Sequence, residues 1–346
     1  MEQDVVLCSE KNGVGTIELN RPKAINSISQ RMIELIHQQL IDWKNDSNIK
    51  FIILSGNGPK GFCAGGDIKT LYQAKESESK YQQAIRFFQL EYKTDALIYH
   101  YPKPIIAILD GVTMGGGVGL TYGASHRIVT ERTKWAMPEM NIGFFPDVGA
   151  SYFFNQAPGK VGYYLALSAS VISGSDAIYA NAADHYITTD NLDTFIHELT
   201  KKDWIIETDI DHAIDNIVQK FTSASDQSRL ENHRSEIDEY FSYSTLEQVI
   251  TALESAESDF ANKTKQLLLT KSPISLKVTL EQLRRGKEKS LEACFDMDLI
   301  LVKNFLKSND FYEGVRSIVI DKDQKPNYQY KKLDDVEKDL VESYFN

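Results

Sequence analysis

The sequence predicts an α/β protein whose first part alternates buried strands with helices and whose second part is almost wholly helical. Three observations carry this reading. The continuous apolar runs FIILSG (51–56) and PIIAILDG (104–111) read as strands covered on both faces. A long connection with helical apolar content joins them, as parallel pairing and a right-handed crossover require. Beyond about residue 190 strand-like runs nearly vanish, and amphipathic stretches follow one another.

In chain order, DVVLC and VGTIEL are β-rich runs flanking EKNG, and Asn12-Gly13 supplies a hairpin turn signal. From Ser29 to Trp43 the apolar residues Ile33, Ile36, Leu40 and Trp43 recur at helical spacing, which predicts a surface helix with one buried stripe. After FIILSG comes a helical stretch containing IRFFQLEY (85–92), and then PIIAILDG. The later amphipathic stretches include FIHELTKKDW, HAIDNIVQKF, SLKVTLEQLRRG and SLEACFDMDLILVKNFLKS. The acidic, polar stretch 202–240 is expected to hold the loops between these helices. A two-part body follows, residues 1–190 as a layered core and 191–346 as a mostly helical region. No repeat of fixed period or low-complexity tract interrupts it.

With 346 residues, 42% of them hydrophobic and 25% charged, the chain can bury a large core and fold alone. No window approaches the ~20 apolar residues of a membrane-spanning helix. The opening MEQDVVLCSE lacks the basic and apolar regions of a signal peptide, so a cytoplasmic protein with no membrane partner is expected. Cys8, Cys63 and Cys294 are too few for a disulfide framework or a cysteine-based zinc site. The seven histidines show no H-E-x-x-H pattern, so no metal is expected. A net charge of −11 argues against nucleic acid as a partner. It leaves room for a small anion held locally by a few cations and backbone amides.

Three stretches could carry chemistry. GNGPKGFCAGGDI (56–68) leaves a buried strand, and its glycines could let a ligand approach backbone amides; a plain turn explains it as well. DGVTMGGGVGL (110–120) also leaves a buried strand and opens a helical run, where amides point outward and favour negative charge. Close helix packing accounts for it equally. Neither stretch has the Gly-Lys-Ser/Thr of a phosphate loop, and Tyr122 stands where a dinucleotide fingerprint after Gly117 and Gly119 needs glycine.

The third stretch is WAMPEMNIGFFPDVG (135–149). Gly143 and Pro146 oppose a helix, and Met137 and Phe145 precede prolines and so prefer extended geometry. An irregular loop can turn Glu139 and Asp147 toward one cavity. Trp135, Met137, Met140, Ile142, Phe144, Phe145 and Val148 would make that cavity apolar, which raises carboxyl pKa values and suits acid–base work. Alternatively Glu139 caps a helix or pairs with an arginine, and Asp147 supports the turn before Gly149.

In combination FCAGGDI, GVTMGGGVGL and AMPEMNIGFFPDVGASYF resemble the enoyl-CoA hydratase (crotonase) superfamily, and more closely its 3-hydroxyisobutyryl-CoA hydrolase branch. NRPKAINSIS, KSPISLKVTLEQL (271–283) and NDFYEGVRSIVIDKDQKPNY (309–328) extend the resemblance over nearly the whole chain. It implies a crotonase-like spiral core of ββα units with a helical C-terminal region, and an acyl-CoA thioester as substrate. Coenzyme A then enters as part of the substrate, and no other cofactor is implied. By motif, the amides of Gly66 and Gly116 would form the oxyanion hole.

Where hydratases of this superfamily carry a first glutamate this chain has Gly119; the second is kept as Glu139, and Asp147 stands where hydratases commonly have glycine. That pairing resembles the hydrolase branch and implies release of CoA from a short branched β-hydroxyacyl-CoA of the valine-degradation type. Glu91 falls where that branch has an acid near the substrate hydroxyl, although an exposed helix residue would read the same. Lys23, Ala24, Ala64, Asp67 and Ile68 resemble the segments that cradle the nucleotide and pantetheine. The resemblance also admits a homo-oligomer. Two other readings stay open: hydration or isomerisation of an enoyl-CoA, and a non-catalytic acyl-CoA-binding protein.

Overall fold

A computed structural model describes residues 4–346. The first strands are β1 (Val6–Lys11) and β2 (Val14–Leu19), an antiparallel hairpin turned at Asn12 and Gly13, both at positive φ. β3 (Phe51–Gly56), β4 (Ile105–Leu109), β6 (His126–Val129) and β8 (His185–Tyr186) complete a six-stranded sheet of order β1-β2-β3-β4-β6-β8. Every pairing after the hairpin is parallel. The short strands β5 (Val112–Met114) and β7 (Lys134–Ala136) pair separately.

The chain divides into two compact units that interleave along the sequence. One runs through Gly66, Leu90–Trp135 and Ile172–Ser228, and the other takes Asp67–Gln89, Ala136–Val171 and Arg229–Asn346. The composition change near residue 190 therefore marks where strands give way to helices, and it coincides with neither unit's limits.

In the first unit the pleat sends Val14, Phe51, Ile53, Ile106, Ile108 and Ile128 to one face of the sheet. Helices Thr189–Lys201 and Ile210–Phe221 cover that face with Leu192, Phe195, Leu199, Ile214 and Val218. Trp204, between them, meets Phe51 edge-on at 4.8 Å. The helix Gln30–Lys44 starts at Ser29, whose hydroxyl accepts from the Met32 amide, and it buries the stripe read from the sequence. Residues 202–240, expected to hold the loops between the helices, contain the helix Ile210–Phe221 that HAIDNIVQKF marks and two short ones besides, Arg229–Asn232 and Arg234–Tyr240. In the two short helices Leu230, Ile237 and Tyr240 are buried, so there net polarity hid an amphipathic period.

The turn after Leu19 is fixed by Asn26. Its Nδ2 donates to the carbonyls of Asn57 (3.0 Å), Gly61 (3.2 Å) and Phe62 (3.0 Å), which ties RPKAIN to the first glycine-rich loop. Asn26 also sits at φ 53°, a conformation asparagine adopts more readily than most residues. Asn26→Ala strands those buried carbonyls. We expect it to cost about 2–4 kcal/mol, read as a lower denaturation midpoint at unchanged slope.

The second unit is helical apart from its loops. The helix Pro273–Gly286 is buried along most of its length, and Phe144 lies 5.4 Å from Phe305 and 5.2 Å from Phe311 in an aromatic cluster. Gly143, at φ 65°, closes the turn that begins at Glu139; a Cβ there would strike the Asp310 carbonyl.

Candidate active site

In the first unit the two glycine-rich loops run side by side. Cys63 and Thr113 form a parallel bridge, in which the Cys63 amide donates to the Val112 carbonyl (3.0 Å) and the Met114 amide to the Cys63 carbonyl (2.9 Å). Gly66 and Gly116 each follow three residues later. The Ile28 amide donates to the Gly65 carbonyl (2.8 Å) in a parallel bridge between Ile28 and Gly66, a pairing that turns Gly66's own amide away from Ile28. Gly116 opens the helix Gly116–Tyr122, so its amide belongs to the first turn, where no intrahelical acceptor is available. A Cβ on Gly65 would stand 3.5 Å from the Gly116 nitrogen, which shows how close the loops come.

Glu91, on the helix Glu78–Tyr99, is 2% exposed. Its Oε1 lies where a Cβ on Gly116 would be, so the alternative of an exposed helix residue is set aside. Lys23 and Ala24 form an exposed turn, and the Ala64 amide donates to the Ile25 carbonyl (2.9 Å), which holds the RPKAIN turn against the loop. Asp67 and Ile68 follow Gly66 directly and open the short helix Ile68–Leu71, at the start of the second unit's first segment.

The second unit carries the acids. Glu139 heads a 3₁₀ turn after Pro138, and Asp147 lies in an irregular turn with Val148 at φ 52° and Gly149 at φ 78°. Glu139 is 8% exposed, Asp147 4%. Among the described residues Glu139 Oε2 has no hydrogen-bond partner. Burial, and then the charge of Asp147, holds the Glu139 carboxyl well above the ordinary carboxylate range. The charge acting on Glu139 is thus a like charge rather than an arginine.

Three residues unnoticed in the sequence complete this part. Asp298, on the helix Leu291–Phe305, takes the Gly149 amide on Oδ2 (2.9 Å) and Gln282 Nε2 on Oδ1 (2.8 Å). Gln282 Nε2 also donates to the Pro146 carbonyl (2.9 Å). The turn before Gly149 is therefore supported by Asp298. Lys271, buried, donates to Asn141 in the Glu139 turn, and burial lowers its pKa to about 8. The signal for Asp298 and Gln282 was a polar residue on an otherwise apolar helical stripe; Lys271, between the helices Asp259–Leu268 and Pro273–Gly286, has no such signal. Among the described residues no three His, Cys, Asp or Glu side chains form a metal-binding group, and no helix is long and apolar enough to cross a membrane.

The first unit by itself is a parallel sheet whose loops set glycine residues side by side, and the second by itself holds a pair of buried acids; backbone amides can polarise a carbonyl, and buried carboxyls can move a proton, as the α/β enzyme class requires. The chain belongs to the enoyl-CoA hydratase/isomerase family, which it matches over residues 14–345. It is 39% identical to "3-hydroxyisobutyryl-CoA hydrolase, mitochondrial" of Xenopus tropicalis, over 98% of this chain and 88% of that protein. It is also 38% identical to "small ribosomal subunit protein mS47" of Neurospora crassa, over 99% of this chain and 72% of that one. The solved structure of a carnitinyl-CoA dehydratase from Mycobacterium thermoresistibile matches with a TM-score of 0.93 at 37% identity, covering 99% of this chain and 97% of that one. The fold is accordingly crotonase-like, as the motifs implied.

Proposed function

We propose that this protein hydrolyses the thioester of a short branched β-hydroxyacyl-CoA, in the first instance 3-hydroxyisobutyryl-CoA, giving 3-hydroxyisobutyrate and free CoA. The observation that carries the reading is the buried Glu139–Asp147 pair, in which burial and the neighbouring charge raise the proton affinity of Glu139. The similarity to hydrolases of that name over nearly the whole chain supports the same substrate.

In this mechanism the amides of Gly66 and Gly116 donate to the thioester oxygen as it becomes an oxyanion. Glu139 either attacks the carbonyl carbon or takes a proton from the water that does. Asp147 orients the substrate hydroxyl or handles the water proton, while Glu91 lies toward the hydroxyl end of the acyl group. The carbon–sulfur bond breaks, the thiol leaves with a proton, and the acid product keeps the water oxygen. Lys23, Ala24, Ala64, Asp67 and Ile68 hold the CoA portion.

Two observations favour other readings. The carnitinyl-CoA dehydratase neighbour favours chemistry at a double bond, and the mS47 relative favours a role without turnover. Purified protein with 3-hydroxyisobutyryl-CoA and a thiol-reactive chromophore separates all three. Hydrolysis predicts free thiol at a rate proportional to enzyme. Loss of enoyl absorbance from a crotonyl thioester without thiol identifies a hydratase. Tight CoA binding with neither signal identifies a binding protein, and either of these two results overturns the proposal.

A further inference from the structure

Asp298 occupies a costly place. It is fully buried on the stripe that also buries Leu291, Cys294, Leu301 and Val302, and an apolar residue there would pack without desolvating a carboxyl group. Burial and the Asp147 charge both raise its pKa well above the ordinary value. Gln282, also buried, contributes a single amide nitrogen that serves both Asp298 and the Pro146 carbonyl.

The turn these two hold is strained. Val148 is β-branched, yet it stands at φ 52°, a region such residues rarely enter, and Gly149 follows at φ 78°. Conformations of this kind persist when surrounding groups over-determine them. Here Gln282 holds the carbonyl that precedes Asp147 in the chain, and Asp298 holds the amide two residues after it. Both ends of Pro146–Gly149 are therefore fixed by side chains from two different helices, and Asp147 lies between the fixed points.

We propose that Asp298 and Gln282 are positioning residues, which grip the Pro146–Gly149 turn at both ends and so set the direction of the Asp147 carboxylate during turnover. The inference rests on the hydrolase reading for its kinetics. Neither residue touches substrate in it; each acts through Asp147. A misplacement of about 1 Å at a catalytic group can cost on the order of a hundredfold in rate.

The test compares Asp298→Ala, Asp298→Asn and Gln282→Met with the parent, and Asp298→Ala/Gln282→Met with its single variants, by thiol release from 3-hydroxyisobutyryl-CoA. We expect kcat to fall roughly tenfold to a hundredfold in Asp298→Ala and Gln282→Met, with KM within about twofold. Asp298→Asn, which keeps an acceptor for the Gly149 amide, should recover part of the loss. The double variant should be little worse than its worse single variant, because both act on one turn. Should Asp298→Ala fail to fold, Asp298→Asn and Gln282→Met carry the comparison. Folded variants with parental kcat, losses that multiply in the double variant, or a change confined to KM overturn the inference. Hydrogen exchange at the Gly149 amide supplies a readout free of turnover, with faster exchange expected in Asp298→Ala and Gln282→Met. Unaltered protection there overturns the positioning role even if the parent releases no thiol, a result that would by itself sink only the hydrolase reading.

Discussion

Replacing Glu139 with glutamine is expected to abolish thiol release and, at neutral pH, to make the protein harder to unfold. General acid–base groups typically supply a factor of about 10²–10⁴, so Glu139→Gln should leave at most about one part in a hundred of the parental kcat, close to the detection floor of the assay. The stability change follows from the direction of the pKa shift. Burial and the Asp147 charge raise the carboxyl above its unfolded value, so its stabilising contribution is full below the ordinary carboxylate range. That contribution is lost as pH climbs through the raised value, because folding then holds an unwanted charge. Glutamine has no proton to lose and keeps the site neutral throughout. Parent and variant should therefore melt together at low pH and diverge near neutrality, with the variant higher. The parental kcat should rise along an acid limb centred above the ordinary carboxylate value of about 4.3, because the ionised form does the work. Substantial turnover in Glu139→Gln, or an acid limb at the ordinary value, would contradict this account.

Gly116→Ala should produce the second large loss. The added Cβ would meet Glu91 Oε1 and approach Ile28 Cδ1 to 3.1 Å, so either the carboxylate or the start of the helix must move. Loss of one oxyanion donor typically costs ~2.7–4 kcal/mol, or 10²–10³ in kcat. A fair control is Gly162→Ala, whose Cβ would strike the Phe154 backbone within the second unit. That variant should lose stability and keep its rate per folded molecule. If both variants lose stability alone, Gly116 is a packing residue and the amide assignment fails.

Much of this was legible in the chain, for identifiable reasons. FIILSG and PIIAILDG are apolar at every other position and also between, which only a sheet covered on both faces explains, and the structure covers β3 and β4 in that way. Pro138, Gly143 and Pro146 forbid a regular helix, so Glu139 and Asp147 were placed on irregular backbone by local chemistry alone. Other features were beyond local reading. Asp298 and Gln282 lie within helices whose periodicity was plain, but a lone polar residue on an apolar stripe is visible only after the stripe has been aligned turn by turn. In 229–240 the acidic composition outweighed a period carried by a few spaced residues, Leu230, Ile237 and Tyr240. The limits of the compact units depend on which distant segments pack together, and no window along the chain reports that.

The interleaving of the two units bears on how the protein is made. Synthesis runs from the N-terminus, and segments fold as their partners emerge. Once Ser228 has left the ribosome every piece of the sheet-bearing unit exists. By then Phe144 and Phe145 have also emerged, but Phe305 and Phe311, on which they pack, are still to be translated. For that interval Phe144 and Phe145, in the segment that carries both acids, wait for the rings they stack against, so the acid-bearing loop is completed only near the end of synthesis.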